Sequence, residues 1–208
     1  NVNEKELIFE AQKKGAKLFQ ILPHLFTKMS YRDRPDGLLA LGKEPNLDLD
    51  NLPKKKEPFL LVAESIEKPG NLGTILRTAD AVGVDGVIVS DPCTDLYNPN
   101  TIRSSVGSLF TQIVVEGTKE EVNSYLEKHQ IRKIAASPDA KTLFTEIDLQ
   151  KPTAIFVGSE QYGLTEKTLD LADEKVRIPM YGKADSLNVA QATTLLLYEV
   201  VRQRHSLS

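Results

Sequence analysis

Asn71 and Arg77 stand six residues apart, with neither histidine nor cysteine between them. That pairing suits a substrate carrying an anion or a hydroxyl, because the amide fixes orientation while the guanidinium supplies charge and a planar fork of donors. A second polar group, Gly158-Ser159-Glu160, places a carboxylate directly after an apolar run, with Gly163-Leu164 close behind. Glycines at 158 and 163 would let backbone approach a ligand closely. The third group, Ser186-Leu187-Asn188, follows Ile178-Pro179-Met180 and a glycine-containing loop. Each has a plain structural account as well. An arginine on an exposed helix face is commonly just solvated, Glu160 can cap the helix that follows, and Ser186 can cap the last helix with Asn188 in its first turn. His24, His129 and His205 are scattered, so no metal site is expected.

The elements that must carry these groups follow from hydrophobic periodicity. Strands are predicted at Phe59–Ala63, Gly86–Val89, Thr111–Val115, Lys133–Ala136, Ala154–Val157 and Lys175–Ile178, and helices at Leu72–Val82, Asn100–Val106, Lys119–His129, Thr165–Ala172 and Leu187–Arg204. Pro69 and Gly70 read as an irregular turn before the first of these helices. Strands alternating with helices imply an α/β fold, a mainly parallel sheet with helices on both faces, whose ligands collect beyond the carboxyl ends of the strands. Before it, a helix from Glu4 to about Gly15 and strands at Lys17–Leu22 and Gly37–Leu41 suggest part of a small α/β domain that looks truncated at its start, since the chain opens on Asn1 rather than Met. The boundaries read 1–44 for this piece, 45–58 for a linker and 59–208 for the main domain. Lys54-Lys55-Lys56 in the linker reads as a solvated tether. Arg202, Arg204 and His205 complement the dipole of the final helix.

The chain has 208 residues and a formal net charge of −3, which counts against nucleic-acid binding over the whole surface but leaves room for a local basic patch. A lone cysteine, Cys93, fits a reducing cytoplasm and precludes an intrachain disulfide. No run approaches the length of a membrane span, and no signal peptide is visible. A dinucleotide-dependent oxidoreductase would need G-x-G-x-x-G after the first strand, and a hydrolase of the G-x-S-x-G type would need its elbow; neither occurs.

Taken together, Asn71 with Arg77, Gly158-Ser159-Glu160 with Gly163-Leu164, and Ile178-Pro179-Met180 with Ser186-Leu187-Asn188 resemble the three signature motifs of the SpoU/TrmH family of RNA ribose 2′-O-methyltransferases, in the SPOUT superfamily. The likeness runs from Phe59 to Arg204 in the right order. It implies a C-terminal trefoil knot, S-adenosylmethionine as cofactor, a homodimer with composite active sites, and a cytoplasmic protein that methylates structured RNA, ribosomal in preference to transfer RNA. By residue match, Gly158, Ile178 and Leu187 would contact the cofactor through backbone, Met180 would line its pocket, and Ser137 is a further cofactor candidate. Asn71, Arg77, Glu160, Ser186 and Asn188 would be catalytic, and Arg77 and Arg103 would touch RNA. Proton loss from the hydroxyl would go to water or to Glu160. Ala190-Gln191-Ala192-Thr193-Thr194 departs from the small residues usual in the family, which bears on the packing of the last helix. Tyr31 to Ala40 resembles a strand entry of the ribosomal-protein-like RNA-binding domain that many members carry. A catalytically inactive RNA-binding protein of the same fold is the alternative from another class, and cofactor titration separates the two.

Overall fold

The computed structural model describes residues 2–31 and 37–205 and divides into two units, 1–43 and 44–208. In the first unit, helix α1 (Val2–Lys13) is followed by Gly15, whose φ is 91°, and helix α2 (Pro23–Met29) starts on a proline. The sequence reading missed α2. It also expected strands at Lys17–Leu22 and Gly37–Leu41, and neither forms a ladder among the described residues. A strand exists only against a partner edge, and Leu18, Phe19, Leu38 and Leu39 stay exposed instead. Half of the segment Tyr31 to Ala40, residues 32–36, lies outside those described.

The second unit is built on a seven-stranded parallel sheet in the order β3-β2-β1-β6-β4-β7-β5. Its strands are β1 (Phe59–Glu64), β2 (Gly86–Ser90), β3 (Val114–Gly117), β4 (Arg132–Ala136), β5 (Thr142–Leu143), β6 (Thr153–Val157) and β7 (Glu174–Arg177). β6 lies between β1 and β4, pairing Leu61 with Ile155 on one side and Ile155 with Ile134 on the other. Every residue of β1, β2 and β6 is buried, as strands covered on both faces require.

Alternation along β1 sends Phe59, Leu61 and Ala63 to one face and Leu60 and Val62 to the other. The first face packs against helix α3 (Pro69–Val82) through Leu72, Ile75, Leu76 and Ala79, and against helix α7 (Val189–His205) through Leu196, Leu197 and Val200. The second meets helix α5 (Lys119–Lys128) at Val122 and Leu126. It also meets Leu52, which is 2% exposed although composition placed it in a linker. A 3-10 turn at Leu49–Asn51, capped by Asp48, delivers Leu52 to the sheet. Of the lysine run, Lys55 pairs with Asp85.

Three element boundaries differ from expectation for local reasons. Pro69 and Gly70 are the first residues of α3, since proline is tolerated where no intrahelical N–H is needed. Thr111 joins no strand, because its hydroxyl donates to Asp80 (2.8 Å) and the ladder begins at Val114. The cap of α7 is Asn188 and not Ser186: the Asn188 carboxamide oxygen accepts from the Ala190 N–H (2.9 Å). Helix α4 (Pro99–Ser105) lies close against α3 at Gly73, where a Cβ would stand 1.9 Å from the Ser104 hydroxyl. Helix α6 (Glu166–Leu171) follows the β6 loop.

Candidate active site

Four loops leave the carboxyl ends of β1, β4, β6 and β7. The β1 loop opens at Ser65, with φ of 51°, and turns at once into α3. This brings the backbone N–H groups of Glu67 and Lys68 and the carboxamide of Asn71 to one place. The β6 loop is closed on itself. Ser159 and Gly163 exchange two backbone hydrogen bonds of 3.0 Å, and the Tyr162 N–H donates to the Ser159 hydroxyl (3.1 Å). At Gly158 a Cβ would lie 2.1 Å from the backbone carbon of Gly163, so only glycine allows the loop to close this tightly.

Glu160, at this turn, spans to the β1 loop. Its carboxylate accepts from Asn71 Nδ2 (2.6 Å), the Glu67 N–H (3.1 Å) and the Lys68 N–H (3.3 Å). Burial pushes its acidity down, but the donors at Asn71, Glu67 and Lys68 outweigh burial and hold the carboxyl below its ordinary value. A carboxylate so saturated is a strut, poorly suited to take up a proton. Asn71 has its other polar atom free for the third motif: Asn188 Nδ2 donates to Asn71 Oδ1 (3.2 Å). One hydrogen-bonded chain, Glu160–Asn71–Asn188, therefore joins segments 89 and 117 residues apart in sequence.

Beside this chain lies a cleft of about 590 Å³, within the range that holds a nucleoside-sized ligand. Gly158, Ile178, Met180, Leu187, Ser186 and Ser137 all line it. So do Lys68, Asp139, Arg177 and Asp185, which sequence reasoning passed over as site residues. Their signal was available: each follows or ends a strand on the same edge as the motifs, and Arg177 is the last residue of β7. Among the described residues no group of three or more histidine, cysteine, aspartate or glutamate side chains could hold a metal ion.

Arg77 and Arg103 are placed elsewhere. Both are exposed, and neither lines the cleft or joins the Glu160–Asn71–Asn188 chain. Arg77 lies on the outer side of α3, between Gly73, which faces α4, and Thr78, which meets Thr194 of α7 at 3.2 Å. The polar Thr194 therefore has a role, linking α7 to α3.

The SpoU rRNA Methylase family model matches residues 58–198. The 23S rRNA (uridine(2479)-2′-O)-methyltransferase of Streptomyces viridochromogenes is 36% identical over 194 residues, 88% of this chain and 67% of that protein. The tRNA (guanosine(18)-2′-O)-methyltransferase of Escherichia coli K12 is also 36% identical, over 73% of this chain and 67% of its own length. Among solved structures, the AdoMet-bound rRNA methyltransferase from Sinorhizobium meliloti superposes with a TM-score of 0.88 at 28% identity, covering 98% of this chain and 78% of that one. This chain thus spans about two thirds of the length of those two sequence relatives. With three motifs drawn to one sheet edge and the family model covering the whole of that sheet, the chain belongs to the SpoU rRNA Methylase family.

Proposed function

We propose that the chain transfers a methyl group from S-adenosylmethionine to a ribose 2′-hydroxyl of structured RNA. The observation that carries this reading is the Glu160–Asn71–Asn188 chain at the rim of the cleft. The cleft suits the cofactor by its chemistry: Ile178, Met180, Leu187 and Val157 offer apolar surface, Gly158 offers bare backbone, and Asp139, Asp185, Lys68 and Arg177 offer charges of both signs to a ligand that carries both. When bound, the cofactor supplies an activated methyl on a sulfonium with its own leaving group. The protein's part is to orient and desolvate the hydroxyl and to manage one proton.

Asn71 and Asn188 are aimed by their mutual bond, and Glu160 holds Asn71 in place. Asn71 therefore presents a fixed amide to the ribose. A guanidinium is a poor general base, so we assign Arg77 to gripping a phosphate and stabilising negative character on O2′, and not to removing the proton. Glu160 is already saturated with donors, which leaves water as the proton acceptor. Because Arg77 lies outside the cleft of its own chain, we infer a homodimer in which each site is completed in trans. Leu195 and Tyr198 support this, being 43% and 50% exposed at adjoining turns of α7, which packs on α3. We also infer that the segment from Ile178 to Asn188 is threaded as the trefoil knot of the family.

Ribosomal RNA is the substrate we favour, since the rRNA enzymes match across nearly the whole chain and the tRNA enzyme over a shorter stretch. Residues 1–43 would then serve RNA recognition and Arg103 would contact the same RNA, in the cytoplasm where both meet. No helix among the described residues is long and apolar enough to cross a membrane. The decisive experiment maps ribose methylation in total RNA from cells with and without the protein, alongside calorimetric titration of S-adenosylmethionine. Saturable heat with no lost methylation site would reject RNA as substrate; no heat would leave a binding protein.

A further inference from the structure

A second carboxylate, Glu64, mirrors Glu160 and has no part in the chemistry above. It is the last residue of β1, 1% exposed, and it shares no hydrogen bond with the Glu160 network. Its Oε1 accepts from the Thr165 N–H (2.9 Å), and its Oε2 accepts from the Thr168 hydroxyl. Lys119 lies 3.7 Å from Oε1 and 3.1 Å from Asp91. Burial alone would make the Lys119 ammonium easier to deprotonate, but Asp91 and Glu64 hold it above its ordinary value, so a cation is kept beside the buried Glu64 side chain. Thr165 immediately precedes α6, and its own side chain caps no backbone group. Glu64 instead ties the Thr165 N–H and the Thr168 hydroxyl, in the first turn of α6, to the end of β1 from 101 and 104 residues away.

The two carboxylates are reciprocal. Glu160, from the β6 loop, reaches into the β1 loop and fixes the near end of segment 158–165. Glu64, from β1, reaches to Thr165 and fixes the far end of the same segment. Gln161 to Leu164 lie between these two anchor points, and every residue from Gly158 to Leu164 lines the cleft. We propose that Glu64 is a positioning residue for the ligand-side wall of this cleft, clamping the far end of the 158–165 loop as Glu160 clamps the near end. This rests on the methyltransferase reading only for the identity of the ligand.

The test compares Glu64→Ala, Glu64→Gln and Thr168→Val with the parent chain. Hydrogen exchange of the 158–165 amides is measured without ligand, and S-adenosylmethionine binding is measured by calorimetry well below the unfolding midpoint. Glu64→Ala is expected to raise exchange in 158–165 at least tenfold and weaken S-adenosylmethionine binding at least tenfold, with exchange in β3 unchanged. Glu64→Gln keeps an acceptor for the Thr165 N–H and is expected to stay within threefold of the parent. Leu126→Ala, a core truncation on α5, is the stability control and is expected to lower the melting temperature without selective exchange at 158–165. If Glu64→Ala does not fold, Thr168→Val decides, because it removes one arm of the clamp at nearly constant shape. A threefold or greater loss of S-adenosylmethionine binding supports the clamp, and no change overturns it. Parent-like exchange and binding in a folded Glu64→Ala overturn it as well. A parent chain that takes up no S-adenosylmethionine sinks the functional reading instead, while the exchange data still decide whether Glu64 holds the loop.

Discussion

Arg204 and Arg77 sit at opposite fates within one domain. Arg204, in the last turn of α7, donates to the backbone carbonyls of Leu149 (3.1 Å), Glu57 (3.0 Å), Pro58 (3.3 Å) and Lys151 (2.7 Å), and lies 5.3 Å from the centre of the Phe59 ring. It closes the amino-terminal end of the sheet, where Asp85 also accepts from the Phe59 N–H (2.8 Å). Burial makes its guanidinium easier to deprotonate, while Asp85 and Glu57 oppose this. Arg77 is exposed, and among the described residues no hydrogen bond or ion pair engages its guanidinium. The same side chain is a structural bolt where carbonyls converge on it. Where none do, it remains available to an outside anion.

That contrast can be broken most sharply at Arg77. Arg77→Ala is expected to lower the methyl-transfer rate by about 10²–10³-fold, the usual cost of losing a preorganised donor to a developing oxyanion. Its melting temperature should stay near the parent's, since surface positions without partners move stability by roughly 0.5 kcal/mol or less. Full activity would remove Arg77 from the mechanism. Mixing Arg77→Ala with Asn188→Ala chains sharpens the point: if sites are completed in trans, hybrid dimers recover activity that neither parent shows, whereas sites built within one chain recover none.

Arg204→Met should do the reverse. We expect a loss of about 2 kcal/mol, discounted for partial exposure, in denaturant unfolding, with kcat at saturating substrate unchanged. Next in size comes Gly73→Ala, whose Cβ would also stand 2.4 Å from the Thr101 carbonyl oxygen and push α4 off α3. An overpacking cost of about 1–3 kcal/mol is expected from thermal melts. The smallest effect concerns acid. Glu160 is held below its ordinary value in the folded chain, so its contribution is complete at neutral pH. It is lost only as pH falls from about 4.3 through the lower folded value. Glu160→Gln should flatten that part of the stability profile, and an unchanged slope would count against the strut.

The sequence showed the sheet well because its strands are buried on both faces and read as unbroken apolar runs, as at Phe59–Ala63 and Ala154–Val157. Asn71, Glu160 and Asn188 were legible as a set through motif resemblance, yet their mutual bonding was not, because periodicity carries no information about which strand ends meet. Arg204 looked like a dipole partner, since its four carbonyl acceptors come from segments 53 to 147 residues away. Ser186 lost the cap to Asn188 through a shift of two residues in the helix start, the kind of boundary that composition sets poorly. The N-terminal strands failed because strand-like composition specifies an edge and not the partner it needs.

The place of β6 has a consequence for biosynthesis. β1 and β4 flank a slot filled by a strand that is made after both, with Phe59 waiting for Thr153 and Arg132 waiting for the same residue. A nascent chain leaving the ribosome must therefore carry two apolar inner edges unmatched until Val157 has emerged. Insertion of that late strand joins the two halves of the sheet, and the window before it leaves apolar strand edges open to aggregation.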